Sequence, residues 1–277
     1  MFENIIGHED KKKILEKCIK SGNISHAYLF SGKKGVGKRT LAEEFARQIL
    51  NVKNLEASAD YKYISKRDDK KDIIIEQIRK NIIDDVYELP VSGNKKVYII
   101  DDAESLNIAS QNALLKTLEE PPTYVVLILI SASESVFLPT IRSRVNLLSF
   151  SGIRDEQLKK YMEENYKINL SDKIISYLEG SIGEAVKLVK EQKIVKLEEI
   201  DKLYEFINKK DEVGALKFCE NIKFTEDMLD YLEYIIYINN KYSCVKFIER
   251  AKNRLKNNGN YDIVIDSLIL KIIDNII

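Results

Sequence analysis

The sequence predicts an α/β domain with a mainly parallel sheet, followed by a region built entirely of helices. Up to about residue 150, apolar strand-like runs alternate with helical patterns, as expected for parallel strands joined by helical crossovers. One of these runs, Lys96 to Glu104, is apolar along most of its length and ends in carboxylates, which favours a strand covered on both faces. From Ser151 onward no glycine-punctuated strand recurs, and nearly every segment has helical periodicity.

The stretch Tyr28 to Phe45, YLFSGKKGVGKRTLAEEF, has the pattern of a strand, a glycine-rich loop and a helix. Glycines let the loop backbone curl so that successive N–H groups point inward, and the following helix adds the positive end of its dipole. A lysine at the start of the helical pattern can then reach the outer phosphates of a nucleotide. The residues expected to bind phosphate are Gly32, Gly35, Gly37 and Lys38.

The position after Lys38 departs from this pattern. A P-loop has Ser or Thr there, whose hydroxyl holds Mg²⁺, but this chain has Arg39. Thr40 comes one residue later, and because one residue rotates a helical side chain by about 100°, its hydroxyl should point away from the metal position. The loop is therefore predicted to keep its phosphate-binding backbone and to lack its metal ligand. A working nucleoside triphosphatase and a glycine-rich turn without nucleotide function are the alternatives.

The segments around the P-loop complete the first half of the domain. A helix over residues 8–20 ends at Ser21-Gly22-Asn23, and residues 61–65 form a short predicted strand. The charged run 66–71 is expected to be a solvated face. Residues 73–87 predict an amphipathic helix. Its apolar face comprises Ile74, Ile78, Ile82 and Val86.

Paired carboxylates, Asp101 and Asp102, close the strand that begins at Lys96. Beside a P-loop, the first would bind the water shell of the metal and the second would polarise the attacking water. Aspartate places its carboxylate about one methylene further from that water than glutamate would, which weakens the base. The alternative is that the pair caps the next helix and complements its dipole. Ser105 is the predicted N-cap of that helix, which Pro121-Pro122 stops.

The remaining elements follow at short intervals. Residues 124–130 and 145–150 predict two more strands, with the segment TIRSR (Thr140 to Arg144) between them. The helices expected after these strands cover 154–165, 171–179, 182–192, 197–208, 212–221, 225–240, 243–257 and 261–276. The first two or three of these helices are expected to form a small lid domain, and the remaining helices a separate helical bundle. The later helices carry recurrent apolar faces that suggest an assembly surface, with Leu229, Leu232 and Ile236 on one and Val264, Leu268 and Ile272 on another.

Composition limits the classes of function. No apolar run approaches the roughly 20 residues that span a bilayer, and the N-terminus lacks the apolar region of a signal peptide, so no membrane contact and a cytoplasmic location are expected. The three cysteines form no pair with metal-ligand spacing. With a formal net charge of zero, any contact with nucleic acid must come from a local basic patch. His8 and His26 lack companions at ligand spacing, which favours structural roles.

Three motifs, HAYLFSGKKGVGKRTLA, IIDDAESLNIASQNALLKTLEEPP and TIRSR, occur in this order before the helical region. Together they resemble the bacterial DNA polymerase III clamp-loader family. The resemblance implies an AAA+ α/β P-loop domain over residues 1–150, a helical lid over 151–208 and a helical collar for oligomerisation over 209–277. It also implies partners, namely the ATP-hydrolysing gamma/tau motor subunits, the delta subunit, the sliding clamp and primer-template DNA held by the assembled complex.

Three departures separate this chain from the motor subunits of the family. Besides Arg39 and Asp102, the lid segment GSIGEAVKL has Gly183 where motor subunits carry a phosphate-sensing arginine. The resemblance therefore implies a stator, a DNA polymerase III subunit without independent catalysis and without a required cofactor. Weak or vestigial ATP binding stays open under this resemblance, at a site comprising Gly32, Gly35, Gly37, Lys38, Asp101 and Asp102. The alternatives are a motor subunit and a small-molecule P-loop kinase, the latter disfavoured because it gives no role to the C-terminal helices.

The TIRSR segment matches the family element that reaches a neighbouring subunit. By resemblance, Arg144 is expected to act in trans as an arginine finger on the neighbour's ATP, although the family's SRC triplet reads Ser143-Arg144-Val145 here. Arg142 is the rival residue, since an extended segment would place both side chains on the same side, and a surface ion pair is the alternative role. The cysteine-rich zinc module of many relatives is missing, because residues 49–95 contain no cysteine, so neither zinc nor another metal is expected.

Overall fold

The computed structural model describes residues 1–66 and 72–276. The chain divides into two compact units, the first formed by Met1–Asn169 with Leu178–Ala185 and the second by Leu170–Tyr177 with Val186–Ile277. The expected division at residues 150 and 208 stays a prediction. Of the charged run 66–71, only Lys66 belongs to the described residues, and it is exposed.

The first unit is organised around a parallel sheet of five strands in the order β2-β3-β4-β1-β5, which confirms the predicted sheet. Its elements in chain order are α1 (Glu9–Ser21), β1 (Ala27–Gly32), α2 (Lys38–Leu50), β2 (Tyr61–Ile64), α3 (Ile75–Ile78), a π-helical turn (Arg79–Ile83), β3 (Lys96–Ile100), a 3-10 turn (Ala103–Ser105), α4 (Ile108–Glu119), β4 (Val125–Ser131), α5 (Pro139–Arg142), β5 (Asn146–Phe150) and α6 (Asp155–Tyr166).

Both faces of the central strands β1, β3 and β4 are buried, which explains why these strands lack an alternating polar pattern, whereas the edge strand β5 exposes Asn146, Leu147 and Ser149. On one face, Tyr28 and Phe30 pack with α2 residues such as Phe45. On the other, Leu29 packs in a cluster with Leu114 of α4. Successive residues of β1 thus point to opposite apolar layers.

Two predicted local features are wrong. The helix expected over 73–87 is interrupted, because Ile73 pairs with Leu106 as an isolated bridge and α3 gives way to the π-helical turn. Ser105 is not the N-cap of α4: it lies in the 3-10 turn, and the side chain of Asn107 accepts the hydrogen bond from the Ser110 N–H at 2.9 Å. The left-handed backbone of Asp102, with φ of 47°, turns the chain before α4 and moves the cap along by two residues.

The second unit consists of helices. In chain order they are α7 (Asp172–Leu178), α8 (Ile182–Lys190), α9 (Ile194–Asn208), α10 (Glu212–Glu220), α11 (Glu226–Ile238), α12 (Tyr242–Lys256) and α13 (Tyr261–Asn275). The first residues of α8 belong to the first unit. The faces suggested as an assembly surface are buried in this chain itself, including Leu232 and Ile236 of α11 and Leu268 and Ile272 of α13. These side chains form the helical core and are not available as an assembly surface, while oligomerisation through residues 209–277 stays a prediction. Within the described ranges, no helix is long and apolar enough to cross a membrane.

Candidate functional site

The glycine-rich loop joins β1 to α2 as predicted. Gly35 and Gly37 have φ of 77° and 98°, which is the left-handed region where a side chain would be strained. Gly37 also stands directly before the first residue of α2, where N–H groups at the helix start lack helical partners. The sequence-predicted residues Gly32, Gly35, Gly37 and Lys38 therefore form one turn at the carboxyl end of β1.

Lys38 folds back onto this loop. Its side chain is 6% exposed, and its Nζ donates to the carbonyl oxygens of Gly32 at 2.5 Å and Lys33 at 2.8 Å. Burial lowers the pKa of the Lys38 ammonium. A phosphate oxygen is a stronger acceptor for this ammonium than a neutral carbonyl, so an anion in the loop would compete for the same protons.

A cavity of about 410 Å³ lies beside the loop. Its lining includes Gly35 and Lys38 of the loop, the carboxylates of Asp101 and Glu104, and the apolar or aromatic side chains of Ile5, Ile6, Ile153, Tyr161 and Ile182. The volume falls within the roughly 300–1,000 Å³ of small-molecule clefts, and the position at the carboxyl ends of parallel strands is where α/β sheets bind ligands. The arrangement can therefore accept a ligand with an anionic end and an apolar end.

The two carboxylates after β3 are engaged by groups of the chain. The Tyr63 hydroxyl donates to Asp101 Oδ2 at 2.7 Å, and the Asp102 backbone N–H donates to Asp101 Oδ1 at 2.9 Å. Lys34 Nζ lies 2.9 Å from Asp102 Oδ1, and that hydrogen bond raises the pKa of the lysine. Neither side chain caps the following 3-10 turn, and Asn107 caps α4, so the capping part of the alternative is wrong.

Arg39 is held where a P-loop has its metal-binding hydroxyl. Its Nε donates to Glu43 Oε1 at 2.7 Å, and its guanidinium carbon lies 4.5 Å from the centre of the Tyr63 ring. Burial and the hydrogen bond to Asp101 together raise the pKa of Tyr63. Tyr63 thus links Arg39 to Asp101, a role that its place in a short strand did not indicate. Thr40 is exposed at the edge of the cavity.

The segment 178–185 packs against the outer side of the P-loop. The Gly183 N–H donates to the carbonyl oxygen of Gly35 at 2.8 Å, and Ser181 Oγ donates to that of Lys34 at 3.0 Å. Lys33 Nζ lies 2.6 Å from Glu179 Oε2. A Cβ atom at residue 183 would lie 2.7 Å from Gly35 Cα, so the backbone of the loop occupies the space that a side chain there would need.

This close approach predicts that Gly183→Ala is destabilising. Alanine in a helix is normally favoured over glycine by about 1 kcal/mol, but forcing a methyl against backbone costs about 1–3 kcal/mol, and the backbone of Gly35 has no flexible end to move aside. We expect a lower unfolding temperature by scanning calorimetry. Gly93→Ala is the matched control, because a Cβ there meets nothing within 4 Å. Equal unfolding temperatures for the two variants would contradict the prediction.

His8 has structural surroundings. His8 Nε2 lies 2.7 Å from the carbonyl oxygen of Val36 in the P-loop, and its ring packs edge-on against Phe150. Burial lowers the pKa of His8, which favours the neutral imidazole. Within residues 1–66 and 72–276, no group of three or more His, Cys, Asp or Glu side chains could hold a metal ion.

Arg144 lies away from this cavity. Its Nη1 donates to the Thr140 carbonyl at 2.8 Å, and its Nη2 lies 3.0 Å from Glu119 Oε1 at the end of α4. The TIRSR segment is not extended: Pro139–Arg142 is the short helix α5, so Arg142 and Arg144 are not related by strand alternation. Arg144 lies just before β5, at the amino ends of the parallel strands. The P-loop lies at their carboxyl ends.

Comparison with known proteins places this arrangement in a family. The sequence model described as "DNA polymerase III, delta subunit" matches residues 7–154, more than half of the chain. The tau/gamma subunit of DNA polymerase III from Haemophilus influenzae is 32% identical over 208 residues, which cover 68% of this chain and 30% of that protein. The delta' subunit from Pseudomonas aeruginosa is 38% identical over 136 residues, or 43% of this chain and 41% of that protein.

The chain thus spans between 30% and 57% of the length of these DNA polymerase III subunits, less than two thirds of each. A solved structure, a DNA polymerase III gamma subunit-related protein from Thermotoga maritima, superposes with a TM-score of 0.55 at 18% identity, covering 94% of this chain and 99% of that one. At this identity the likeness concerns the fold alone, and it agrees with an AAA+ α/β core followed by helices.

Proposed function

The chain belongs to the DNA polymerase III delta-subunit family, and from that membership we propose that it is the delta-prime subunit of a clamp loader. In this role it does not hydrolyse ATP itself. It helps to load the sliding clamp onto primed DNA in the cytoplasm, as a partner of gamma/tau motor subunits and of the delta subunit. It donates Arg144 to the ATP of a neighbouring motor subunit, and residues 209–277 serve as its collar.

The proposal depends mainly on the residue that follows Lys38, which is Arg39. A hydroxyl there would hold Mg²⁺, whereas Arg39 brings a cation that Glu43 and the Tyr63 ring hold in place. A divalent ion would be repelled by this guanidinium unless the arginine moved. Two neighbouring features support the same conclusion. Asp102 is paired with Lys34, and the backbone of Gly183 bonds to Gly35 where a motor subunit would present an arginine.

The isolated chain is therefore expected to hydrolyse ATP no faster than background. Steady-state phosphate release with Mg²⁺, with and without primed DNA, measures this directly. Turnover near the 1–10 s⁻¹ of ordinary enzymes, abolished by Lys38→Ala, would contradict the proposal. Binding of a fluorescent ATP analogue, measured in parallel on the same protein, separates passive binding in the cavity from hydrolysis.

The second candidate is an ATP-hydrolysing gamma/tau-like motor subunit. It is favoured by the similarity to tau/gamma relatives and by the cavity of about 410 Å³ beside the P-loop. A motor requires turnover by this chain in the assembled loader. The decisive experiment measures ATP hydrolysis by a loader in which the P-loop lysine of every other ATPase subunit is substituted. If this chain is a stator, that loader is inactive. If it is a motor, the loader still hydrolyses ATP, and Lys38→Ala removes the activity.

A further inference from the structure

Helix α12 is strongly basic in a chain whose formal net charge is zero. Between residues 241 and 257 the sequence has one carboxylate, Glu249, against six basic residues, namely Lys241, Lys246, Arg250, Lys252, Arg254 and Lys256. Two of these cations, Lys252 and Lys256, form salt bridges with carboxylates of α11 and are neutralised there. The excess positive charge of the helix therefore lies on its other cations.

Three of those cations, Lys246, Arg250 and Arg254, follow one another at intervals of four and are exposed. Residues at this interval share a helix face, and at 1.5 Å per residue the three extend over about 12 Å. Within residues 1–66 and 72–276, none of them forms a salt bridge. In the same described ranges, Glu249 at the border of the face pairs with none of the three. We name Lys246, Arg250 and Arg254 the basic face of α12.

Exposed aromatic side chains stand at the amino end of this face. Tyr242, the first residue of α12, is 55% exposed and precedes Lys246 by about one turn. Its ring packs edge-on against Tyr237 of α11, with the ring centres 5.1 Å apart, and Tyr237 is 59% exposed. Exposed rings beside a row of cations are typical of surfaces that bind single-stranded nucleic acid, because bases stack on the rings while phosphates pair with the cations.

We propose that the basic face of α12, with Tyr242 and Tyr237 at its end, binds single-stranded DNA. This inference goes beyond the proposed function, since it applies equally to a stator and to a motor. Each strand of B-form DNA carries one phosphate per about 3.4 Å, so a face about 12 Å long spans about three or four phosphates. Like charges four residues apart on a helix repel each other, and bound phosphates remove that repulsion. Membership of a DNA polymerase subunit family favours DNA as the nucleic acid.

Two other occupants of a basic helix fit this face less well. A helix that lies on an anionic membrane inserts its apolar face among the lipids, whereas the apolar face of α12 is buried in the bundle, including Cys244 and Ile248. An acidic protein would place the three cations in the centre of an interface, where charged residues are depleted. A DNA strand instead presents anions at short, regular intervals, which match cations at regular intervals.

The triple variant Lys246→Gln, Arg250→Gln, Arg254→Gln tests the proposal in the full chain. Glutamine is a good helix former, and the three side chains form no salt bridge in the described part of the chain, so the fold should remain. We expect the affinity for a labelled oligothymidylate of about 20 nucleotides, measured by fluorescence anisotropy, to fall at least tenfold at about 50 mM salt. The slope of log K against log salt concentration should become shallower by about 2, because each phosphate contact of a single strand contributes about 0.7.

The matched control is Lys196→Gln, Lys202→Gln, Lys209→Gln, which removes the same charge from exposed positions along α9 and at its end. It should change the affinity by less than about threefold, because these cations are not part of the basic face. Two single variants test the parts of the surface separately. Glu249→Gln should strengthen binding, since it removes the carboxylate beside the face. Tyr242→Ala should weaken binding and leave the salt slope unchanged, because stacking releases no counterions.

The outcomes separate this proposal from the proposed function. Equal affinities of the two triple variants for the oligonucleotide would overturn it, and so would a duplex of the same length that binds as tightly as the single strand. A loss that appears only with phosphatidylserine vesicles, or only with other loader subunits, would also show that the occupant is not DNA. If the unaltered chain binds no strand, the proposal is wrong and the stator role stands, because ATP hydrolysis tests that role independently.

Discussion

Arg144→Ala is expected to silence ATP hydrolysis at one neighbouring site of the assembled loader. An arginine finger contributes about 10³ to 10⁵ in turnover in the best-studied GTPases, because its planar, permanently charged fork meets the charge on the transferring phosphoryl oxygens. A surface ion pair contributes only about 0–1 kcal/mol, so the size of the effect distinguishes the two roles. The measurement is single-turnover hydrolysis at that site, with the other motor sites disabled.

The fold of this variant should be unaffected. The Arg144 side chain is 34% exposed and its ion-pair partner Glu119 is 49% exposed, so the pair adds little to stability. Glu119→Gln is a useful control, since it releases the guanidinium without removing it and should leave turnover within a few fold. Arg142→Ala tests the rival residue. Unchanged hydrolysis in Arg144→Ala, with the loader intact, would rule out the finger.

Asp85→Ala is expected to lower the free energy of unfolding by about 3–5 kcal/mol, the usual cost of removing one partner of a buried ion pair. Lys96 is 3% exposed, and among the described residues its ammonium would keep the hydrogen bond to the backbone carbonyl of residue 85, at 3.1 Å. The Tyr98 hydroxyl would lose its acceptor as well. Urea unfolding monitored by circular dichroism measures the loss.

The control for this prediction is Lys62→Met, which removes the more exposed cation from the same carboxylate and should cost about 1 kcal/mol or less. The pH dependence provides a second test. Burial alone would raise the pKa of Asp85, but hydrogen bonds from Tyr98, Lys62 and Lys96 outweigh it and hold the pKa below its ordinary value. Its contribution to stability is therefore present above about pH 4 and is lost as the pH falls below that value. A gap between wild type and Asp85→Ala that persists at low pH would contradict this assignment.

Local patterns in the sequence determined the architecture. The continuous apolar runs of β1, β3 and β4 predicted a sheet buried on both faces, because only a strand without a solvent face lacks alternation. Glycines at positions 35 and 37, followed by Lys38, predicted the turn and the start of α2, because these conformations depend on a few adjacent residues. The helices after residue 150 followed from apolar periodicity alone.

The cap of α4 and the interruption after α3 show where local patterns were insufficient. Ser105 and Asn107 are both good N-cap residues, and only the left-handed turn at Asp102 decided between them. Likewise, the apolar spacing of residues 78, 82 and 86 suits a regular helix, and these residues are indeed buried, but the chain reaches that burial through a π-helical turn. Several backbone paths satisfy one burial pattern, and packing selects among them.

The contacts that define the site were decided by the tertiary structure. The Tyr63 hydroxyl and Asp101 are 38 residues apart, and Ser181 and Lys34 are 147 apart, so no spacing within a motif relates them. The P-loop and carboxylate patterns identified Arg39 and Asp102 as departures, and the resemblance to the clamp-loader family added Gly183. What each does instead depends on which groups the fold brings into contact with it: Glu43 and the Tyr63 ring at Arg39, Lys34 at Asp102, and the backbone of Gly35 at Gly183. Hydrogen bonds act over such short distances that only the folded chain specifies their partners.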